Sequence, residues 1–495
     1  MCIRDRVRVL IRADASTAIG IGHVARCLTL AQVLVAQGAR VSFVCRELTG
    51  HQLARIAEAG HEVLALPAEA PDDIAALGDL LPPGSAFDWI IVDHYQLGAA
   101  WETAARRWGR RIMVIDDLAD RPHDCDLLLD QNFTASQALY QPLVPATCRV
   151  LAGPRHALLR PAFRTDRAAR NEQGRRVLVS FGGFDQAGMT LKTLQALAGL
   201  EGVQVHCIAG QSSPDLAALQ ALVDQHPEWV LLPFVDDLPQ RMTAATLFIG
   251  AGGGTTWERA AVGLPSLCVS VADNQVTNAE ALARAGVHLY LGPACGVSVE
   301  ALQCAIAVLL DNPLLRQHFA ERGQALVDGL GAQRVAVALL GEGLRVRDAA
   351  AGDARLLFDG RNAEPVRRVS LQQAPLQWDD HCCWLTATLA DPRRVLLIGE
   401  HGDGPVGTLR YDRLDDARAR VSLYLFDGRF GLGWGRALLL AGEREVRRRW
   451  PALQLIEAQV LPDNQASLAL FRAAGYTQAE SHFERIFKDL QHEQF

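Results

Sequence analysis

His23 is the side chain best placed by its surroundings to move a proton. The stretch from Arg12 to Arg26 reads Arg-Ala-Asp-Ala-Ser-Thr-Ala-Ile-Gly-Ile-Gly-His-Val-Ala-Arg. An apolar run, Val7 to Ile11, precedes it, and an amphipathic run from His23 to Gln37, closed by Gly38, follows. The pattern predicts strand, glycine loop, helix, with His23 opening the helix. The free amides of a helix start carry partial positive charge, which disfavours imidazolium and leaves a neutral ring able to accept a proton from water. Gly20 and Gly22 let the backbone turn tightly and leave room for a ligand beside the ring. A packed αβ turn would show the same short spacing, so the rest of the chain decides between the two.

Carboxylates recur at the ends of apolar runs. Trp89–Val92, Ile112–Ile115 and Leu127–Leu129 read as strands, together with Val41–Cys45, and three of them end in acids: Asp93 with Tyr95, Asp116 with Asp117, and Asp130. In an open α/β sheet, ligands bind beyond the carboxyl ends of the strands. An Asp there is also a common helix N-cap, which accounts for at least one of them.

A second αβ series starts at Arg175, with strands Val177–Phe181, Val203–Ile208, Trp229–Leu232, Leu247–Ile249 and Ser266–Val271. Gly182-Gly183-Phe184-Asp185 follows the first of these as a turn open to a ligand. After Ile249 comes Gly-Ala-Gly252-Gly253-Gly254-Thr255-Thr-Trp-Glu258-Arg259. A strand running through glycines into a helix presents several free amides, which hold a diphosphate without lysine or metal. No Walker lysine is present, so this is not an ATPase P-loop. Glu258, about one turn into the helix, reaches ribose hydroxyls if phosphates cap that helix. Asn274 stands past a strand end, where its amide can hold a sugar N-acetyl group or water; an Asx turn opening the helix Thr277–Ala285 is the alternative.

The frame for these residues is α/β throughout. At 495 residues the chain predicts about three folding units of roughly 150 residues. Hydrophobic residues at 49% and charged residues at 21% suit globular cores, and a net charge of -7 gives no basic footprint for nucleic acid. No apolar run reaches the roughly 18 residues of a membrane span and no signal pattern opens the chain, so no membrane partner and a cytoplasmic location are expected. The 11 cysteines are scattered and never spaced Cys-x-x-Cys, which argues against a disulfide framework and a metal site. His381-Cys382-Cys383 reads as helix packing, and Met1–Arg6 fit neither strand nor targeting signal. Gly341–Asp353 reads as a linker. Beyond it come a polar helical stretch Leu356–Ser370, strands Val395–Gly399, Gly407–Tyr411, Val421–Phe426 and Leu455–Val460, and a glycine turn feeding a helix.

The stretch around His23, the segment Ile115–Asp126, the 249–259 loop, Gly263-Leu-Pro, Ala272-Asp-Asn-Gln275 and Asp328–Arg334 together resemble the UDP-sugar hydrolases of the pseudaminic-acid pathway. The resemblance runs over roughly residues 7 to 345. It implies GT-B architecture, two Rossmann-like halves at 7–155 and 156–345, with the second binding the nucleotide. It also implies His23 as general base, Asp14, Tyr95 and Asn274 as substrate contacts, and Gly252, Gly253, Gly254, Thr255 and Glu258 as the UDP site. The substrate it implies is a UDP-activated 2,4-diacetamido-2,4,6-trideoxy sugar, hydrolysed at C1 without a metal.

Arg429-Phe-Gly431-Leu-Gly433-Trp-Gly435-Arg-Ala-Leu-Leu resembles the pyrophosphate loop of the GNAT N-acetyltransferases, and Asp463-Asn464 to Ser467, followed by Phe471 and Gly475-Tyr476, resembles their second motif. This implies a GNAT α/β domain over 346–495 that takes acetyl-CoA at Gly431, Gly433, Gly435, Asn464 and Ser467. Phe430 departs from the Gln/Arg that opens the family loop, and Phe471 stands where many members place a tyrosine acid; Tyr424 and Tyr476 are the substitutes. Phe358–Ser370 resembles the acceptor-binding start of amino-sugar N-acetyltransferases, which implies transfer to a 4-amine. Two other readings compete: a UDP-sugar glycosyltransferase or hydrolysing 2-epimerase with an appended CoA-binding module, and a sugar sensor without chemistry.

Overall fold

Val9, Leu10 and Ile11 are each wholly buried, as a strand covered on both faces requires. The computed structural model describes residues 7–164, 174–182, 185–210, 213–233, 235–402, 404–479 and 482–487. Met1–Arg6, and Gly183 and Phe184 of the turn after Phe181, lie outside the described residues. The chain divides into two compact units, Met1–Val335 and Ala336–Phe495.

The first unit holds two sheets. One contains β1 (Arg8–Ala13), β2 (Arg40–Arg46), β3 (Glu62–Leu66), β4 (Phe87–Asp93), β5 (Gly109–Ile115), β6 (Leu127–Asp130) and β7 (Arg149–Ala152). Its order is β3-β2-β1-β4-β5-β6-β7, and every pair is parallel. The other contains β8 (Arg176–Ser180), β9 (Gln204–Ile208), β10 (Trp229–Leu232), β11 (Leu247–Ala251), β12 (Ser266–Ser270) and β13 (Leu289–Pro293), in the order β10-β9-β8-β11-β12-β13, again parallel. Helices connect the strands, so both are doubly wound sheets. The winding reverses between β1 and β4 in one sheet and between β8 and β11 in the other. In sheets wound this way, ligands bind at such points, on the carboxyl side.

Gly250 shows how tightly the second sheet is built, since a Cβ there would lie 2.1 Å from the Ser180 carbonyl on β8. The segment between the sheets joins the second half's core, where Ala157, Leu159 and Phe163 pack with Phe248, Trp257 and Leu282. The helical stretch expected over 315–340 is broken: helices Pro313–Leu326 and Gly331–Leu340 flank a turn in which Gly329 takes φ +74°.

The second unit contains β14 (Arg345–Asp348), β15 (Arg394–His401), β16 (Gly404–Arg413), β17 (Arg418–Leu425), β18 (Leu455–Ala458), β19 (Thr477–Gln478) and β20 (Phe483–Ile486), ordered β14-β15-β16-β17-β18-β20-β19. The stretch expected as a linker therefore supplies an edge strand, paired antiparallel from Arg345↔Glu400 to Asp348↔Leu397. All pairs are antiparallel except β17 with β18. That parallel register runs only from Arg418↔Leu455 to Arg420↔Glu457, so β17 continues to Leu425 without β18 beside it. His381 lies in the helix Trp378–Ala390, buried and bonded through Nε2 to the Ala354 carbonyl at 3.0 Å, which matches a packing role.

Candidate active site

His23 is the second residue of the helix Gly22–Ala36, as the loop pattern predicts, and Gly20 in the loop before it takes φ +82°. Its Nδ1 lies 2.5 Å from Oδ1 of Asp93, the last residue of β4. Asp93 is wholly buried; Arg26, one turn along the same helix as His23, donates from Nε to its Oδ2 and from Nη2 to its Oδ1, both at 2.6 Å. Burial works against a charge on Asp93, but the charge of Arg26 and the hydrogen bonds from Arg26 and His23 hold it far below the usual carboxylate range. An ionised carboxylate only accepts, so Nδ1 carries the ring proton and Nε2 is left as the acceptor. Tyr95 packs edge-on to the imidazole, centroids 4.6 Å apart at 82°, and sets its plane. This is the constellation of an oriented general base at the switch between β1 and β4.

Asp14 is 1% exposed and enclosed by protein groups. Arg12 donates to both its oxygens at 2.6 and 2.9 Å, the Arg46 N–H donates to Oδ1 at 2.7 Å, and His94 Nε2 stands 3.3 Å from Oδ2. Expected as a substrate contact, it ties β1 to β2 and to the loop after β4 in this structure.

The remaining strand-end acids form one group. Asp117 accepts from Arg26 Nη1 at 3.2 Å. Tyr140 places its hydroxyl 3.1 Å from Asp116 Oδ2 and 3.0 Å from Asp130 Oδ2. A phenol has one proton to give, so one of the two carboxyls must itself donate. Burial, with Asp117 and Asp116 adding to it, pushes Asp130 up to about 7 against the Asn132 N–H and Tyr140 hydroxyl. Of the two, Asp130 is the carboxyl that burial biases toward holding a proton.

In the second half, the helix Thr255–Val262 follows the glycine loop after β11. Among the described residues the N–H groups of Gly253, Gly254 and Thr255 meet no protein acceptor, while Gly252 N donates to Gln275 Oε1 at 3.2 Å. A Cβ added at Gly254 would meet nothing within 4 Å. These are the open amides of an anion cradle. Glu258 lies on the first turn, pushed up to about 7 by burial and opposed by Arg160 and Arg259.

Asn274 lies inside the helix Asp273–Arg284, which begins four residues earlier than expected, and is exposed. Its neighbour Gln275 is the side chain that meets the glycine loop, also accepting from Val271 N at 3.1 Å. One turn beyond Asn274, buried Asn278 accepts from the Phe133 N–H of the first half at 2.8 Å.

In the second unit, Gly431 (φ +71°) and Gly433 (φ +95°) are exposed and precede the helix Trp434–Arg449, whereas Gly435 is buried, its Cβ position 3.2 Å from Leu470. Gly431 and Gly433 suit a phosphate cradle, and Gly435 serves close packing. Asn464 caps the helix Gln465–Ala473 by accepting from Ser467 N at 3.1 Å. Phe471 is core, packed against Tyr476 and Phe483 at 5.0 and 5.9 Å. Both substitute acids are already engaged: Tyr476 is buried and donates to Glu443 Oε1 at 2.9 Å, and Tyr424 donates to the Leu357 carbonyl at 2.9 Å.

Spacing alone left Arg26, Gln275, Asn278 and Arg259 unassigned. Arg26 had a usable signal, since it lies one helical turn from His23 and so on the same face. Among the described residues no group of three or more His, Cys, Asp or Glu could hold a metal ion, and no helix is long and apolar enough to cross a membrane.

Residues 178–327 match the Glycosyltransferase family 28 C-terminal domain, and residues 363–476 match the Acetyltransferase (GNAT) family. A UDP-2,4-diacetamido-2,4,6-trideoxy-beta-L-altropyranose hydrolase of Campylobacter jejuni is 28% identical over 57% of this chain and 98% of its own length. An uncharacterized protein of Methanocaldococcus jannaschii is 20% identical over 95% of this chain and 96% of its own. The crystal structure of Acinetobacter baumannii MurG covers 67% of this chain and 99% of its own with a TM-score of 0.50 at 17% identity, a likeness of fold. The chain is thus a fusion, in which a GT-B pair of Rossmann-like halves is followed by a GNAT α/β domain.

Proposed function

We propose that this fusion is a two-activity enzyme. Its GT-B part hydrolyses a UDP-2,4-diacetamido-2,4,6-trideoxy sugar to free sugar and UDP within pseudaminic-acid biosynthesis, and its GNAT part acetylates the 4-amine of a UDP-amino sugar with acetyl-CoA. The observation that carries the first half is the Asp93–His23 pair, because it fixes Nε2 as the accepting nitrogen at the crevice of the first sheet. Water held at Nε2 gives up its proton as its oxygen attacks C1 of the sugar. The C1–O bond breaks, and its electron pair leaves with UDP, whose diphosphate rests on the amides of Gly253, Gly254 and Thr255. UDP is a good leaving group, so no strong acid is required. Glu258 takes the ribose hydroxyls, and Tyr95 and Asn274 face the sugar. The similarity to the Campylobacter hydrolase over nearly all of that protein supports the choice of sugar.

For the second half, acetyl-CoA supplies an activated acetyl thioester. Gly431 and Gly433 with the start of the helix Trp434–Arg449 would hold its diphosphate, Asn464 and Ser467 would line its arm, and the parting of β17 from β18 leaves backbone groups of β17 open beside it. The amine attacks the thioester carbonyl, CoA leaves as thiolate, and the surplus amine proton passes to solvent, because Tyr424 and Tyr476 already donate elsewhere. Mass analysis of products tests the reading: the full chain with the UDP-diacetamido sugar should yield UDP and free sugar, and with acetyl-CoA and the 4-amino UDP-sugar it should add one acetyl group. An epimerised UDP-sugar, or glycosyl transfer in place of hydrolysis, would overturn the first half.

A further inference from the structure

A buried cation with no carboxylate in hydrogen-bond contact among the described residues, and with the Cys268 thiol as its titratable neighbour, lies under the glycine loop. Arg259 is 2% exposed, its Nη1 donates to the Ala251 carbonyl at 3.0 Å, and its Nη2 donates to Thr256 Oγ1 at 3.0 Å. Ala251 ends β11 and Thr256 is the second residue of the following helix, so the guanidinium is clasped directly behind residues 252–255. One face lies on the Phe248 ring, 5.1 Å from its centroid. Among the described residues no carboxylate makes an ion pair with it. The titratable groups around it tend to the neutral form: burial raises Glu258 to about 7, raises the Cys268 thiol, and lowers His288 to about 3. A guanidinium does not give up its proton in a protein, so the charge stays and burial makes it costly.

We propose that Arg259 is the fixed counter-charge of the ligand's diphosphate, a positioning residue that touches no ligand atom but holds both ends of the cradle and sets a positive potential at the free amides of Gly253, Gly254 and Thr255. The inference rests on the reading of that loop as a diphosphate cradle. The charge lies in a low-dielectric interior, so water and salt screen it little at the cradle, and it adds to the partial charge of the helix start. In the ligand-free protein Glu258 and Cys268 offset this charge only in part, and an incoming diphosphate completes the balance. A purely mechanical clasp would behave differently: removing it would loosen the loop for charged and uncharged ligands alike and would destabilise the free protein.

The test compares wild-type full chain with Arg259→Met and Arg259→Lys by titration calorimetry against UDP, UMP and uridine, with melting curves of the free proteins. Arg259→Met should lower UDP affinity by about tenfold or more, UMP affinity less, and uridine affinity by no more than about twofold, while the free protein melts at or above the wild-type temperature. Arg259→Lys, which keeps the charge, should hold the UDP-to-uridine affinity ratio within about threefold of wild type, and this comparison decides the matter if the methionine variant does not fold. Equal losses for UDP and uridine, or unchanged UDP affinity in Arg259→Met, overturn the inference alone. Wild-type protein that binds no UDP overturns the cradle reading and the inference with it.

Discussion

His23 and Asp93 are 70 positions apart in the chain and 2.5 Å apart in the fold, with the imidazole Nδ1 on a carboxylate that solvent does not reach. Arg26 donates to both oxygens of that carboxylate, sharing Oδ1 with the ring, so protein groups behind the imidazole hold its orientation. His23→Ala should lower hydrolytic turnover by roughly a hundredfold or more at similar UDP affinity. Asp93→Asn should lower kcat by about tenfold to a hundredfold with KM little changed, because its amide can donate to Nδ1 and favour the wrong tautomer. Steady-state kinetics of both variants check this, and near-wild-type turnover in either would remove that residue from the mechanism.

The route of bond cleavage is open to isotopes. In the proposed reaction the base belongs to the first half and the diphosphate to the second, which would put water and leaving group on opposite sides of C1. Hydrolysis in heavy-oxygen water should label the sugar and not UDP, with inversion at C1 and no deuterium gained at C2 in heavy water. Label in UDP would place the break at phosphorus instead.

Asp130 makes a prediction about stability. Its folded value of about 7 lies above the ordinary Asp value of about 3.9. The folded state therefore holds a proton that the unfolded chain has released, and the contribution is fully present below about pH 4 and lost as pH rises through about 7. Depressed carboxylates such as Asp93 and Asp14 act in the opposite sense, losing stability as pH falls. Comparing melting temperatures of wild type and Asp130→Asn across that range isolates the Asp130 share: the variant should fall less between pH 4 and 7. Parallel curves would mean that Asp130 is ionised in the folded protein across that range.

Under the proposed function, Glu258 should couple nucleotide binding to proton release. It is pushed up to about 7, and a carboxylate accepts from two ribose hydroxyls better than its protonated form does, so UDP affinity should rise as pH passes upward through about 7. Calorimetry at pH 6.5 in buffers of different ionisation enthalpy should show net protons released on binding. Glu258→Gln should abolish that release and weaken UDP.

In the second unit, Gly433→Asp should abolish thermal stabilisation by acetyl-CoA, since it puts charge and a strained φ where the diphosphate rests. Tyr476→Phe should leave acetyl transfer within about threefold of wild type, because its hydroxyl is already given to buried Glu443. A loss of tenfold or more in the tyrosine variant would restore it as an acid.

Much of the fold was legible because buried parallel strands are continuous apolar runs, and Trp229–Leu232 was read to the residue. The acids at the ends of β4, β5 and β6 were legible for the same reason. What sequence could not supply was pairing at a distance, such as His23 with Asp93 or Asn278 with Phe133, because no local spacing encodes it. Arg345-Val-Arg-Asp was read as linker because it is largely charged. It is a largely exposed edge strand, held by its pairing with the neighbouring β15. Arg259 was missed since an arginine beside a glutamate on a helix ordinarily marks a solvated face. Tyr476 was recognised by its motif, but the motif does not show that its hydroxyl turns inward to Glu443.

The bond between the Phe133 N–H and Asn278 gives the two halves of the first unit a common lever. The helix Asp273–Arg284 belongs by connection to the second sheet, yet this amide fastens it to the loop after β6 of the first, one turn from exposed Asn274. Rotation of one half against the other must either break that bond or carry the helix along. Asn274 therefore keeps its distance from the first half during any motion the bond survives, so a residue encoded with the second sheet is stationed by the first.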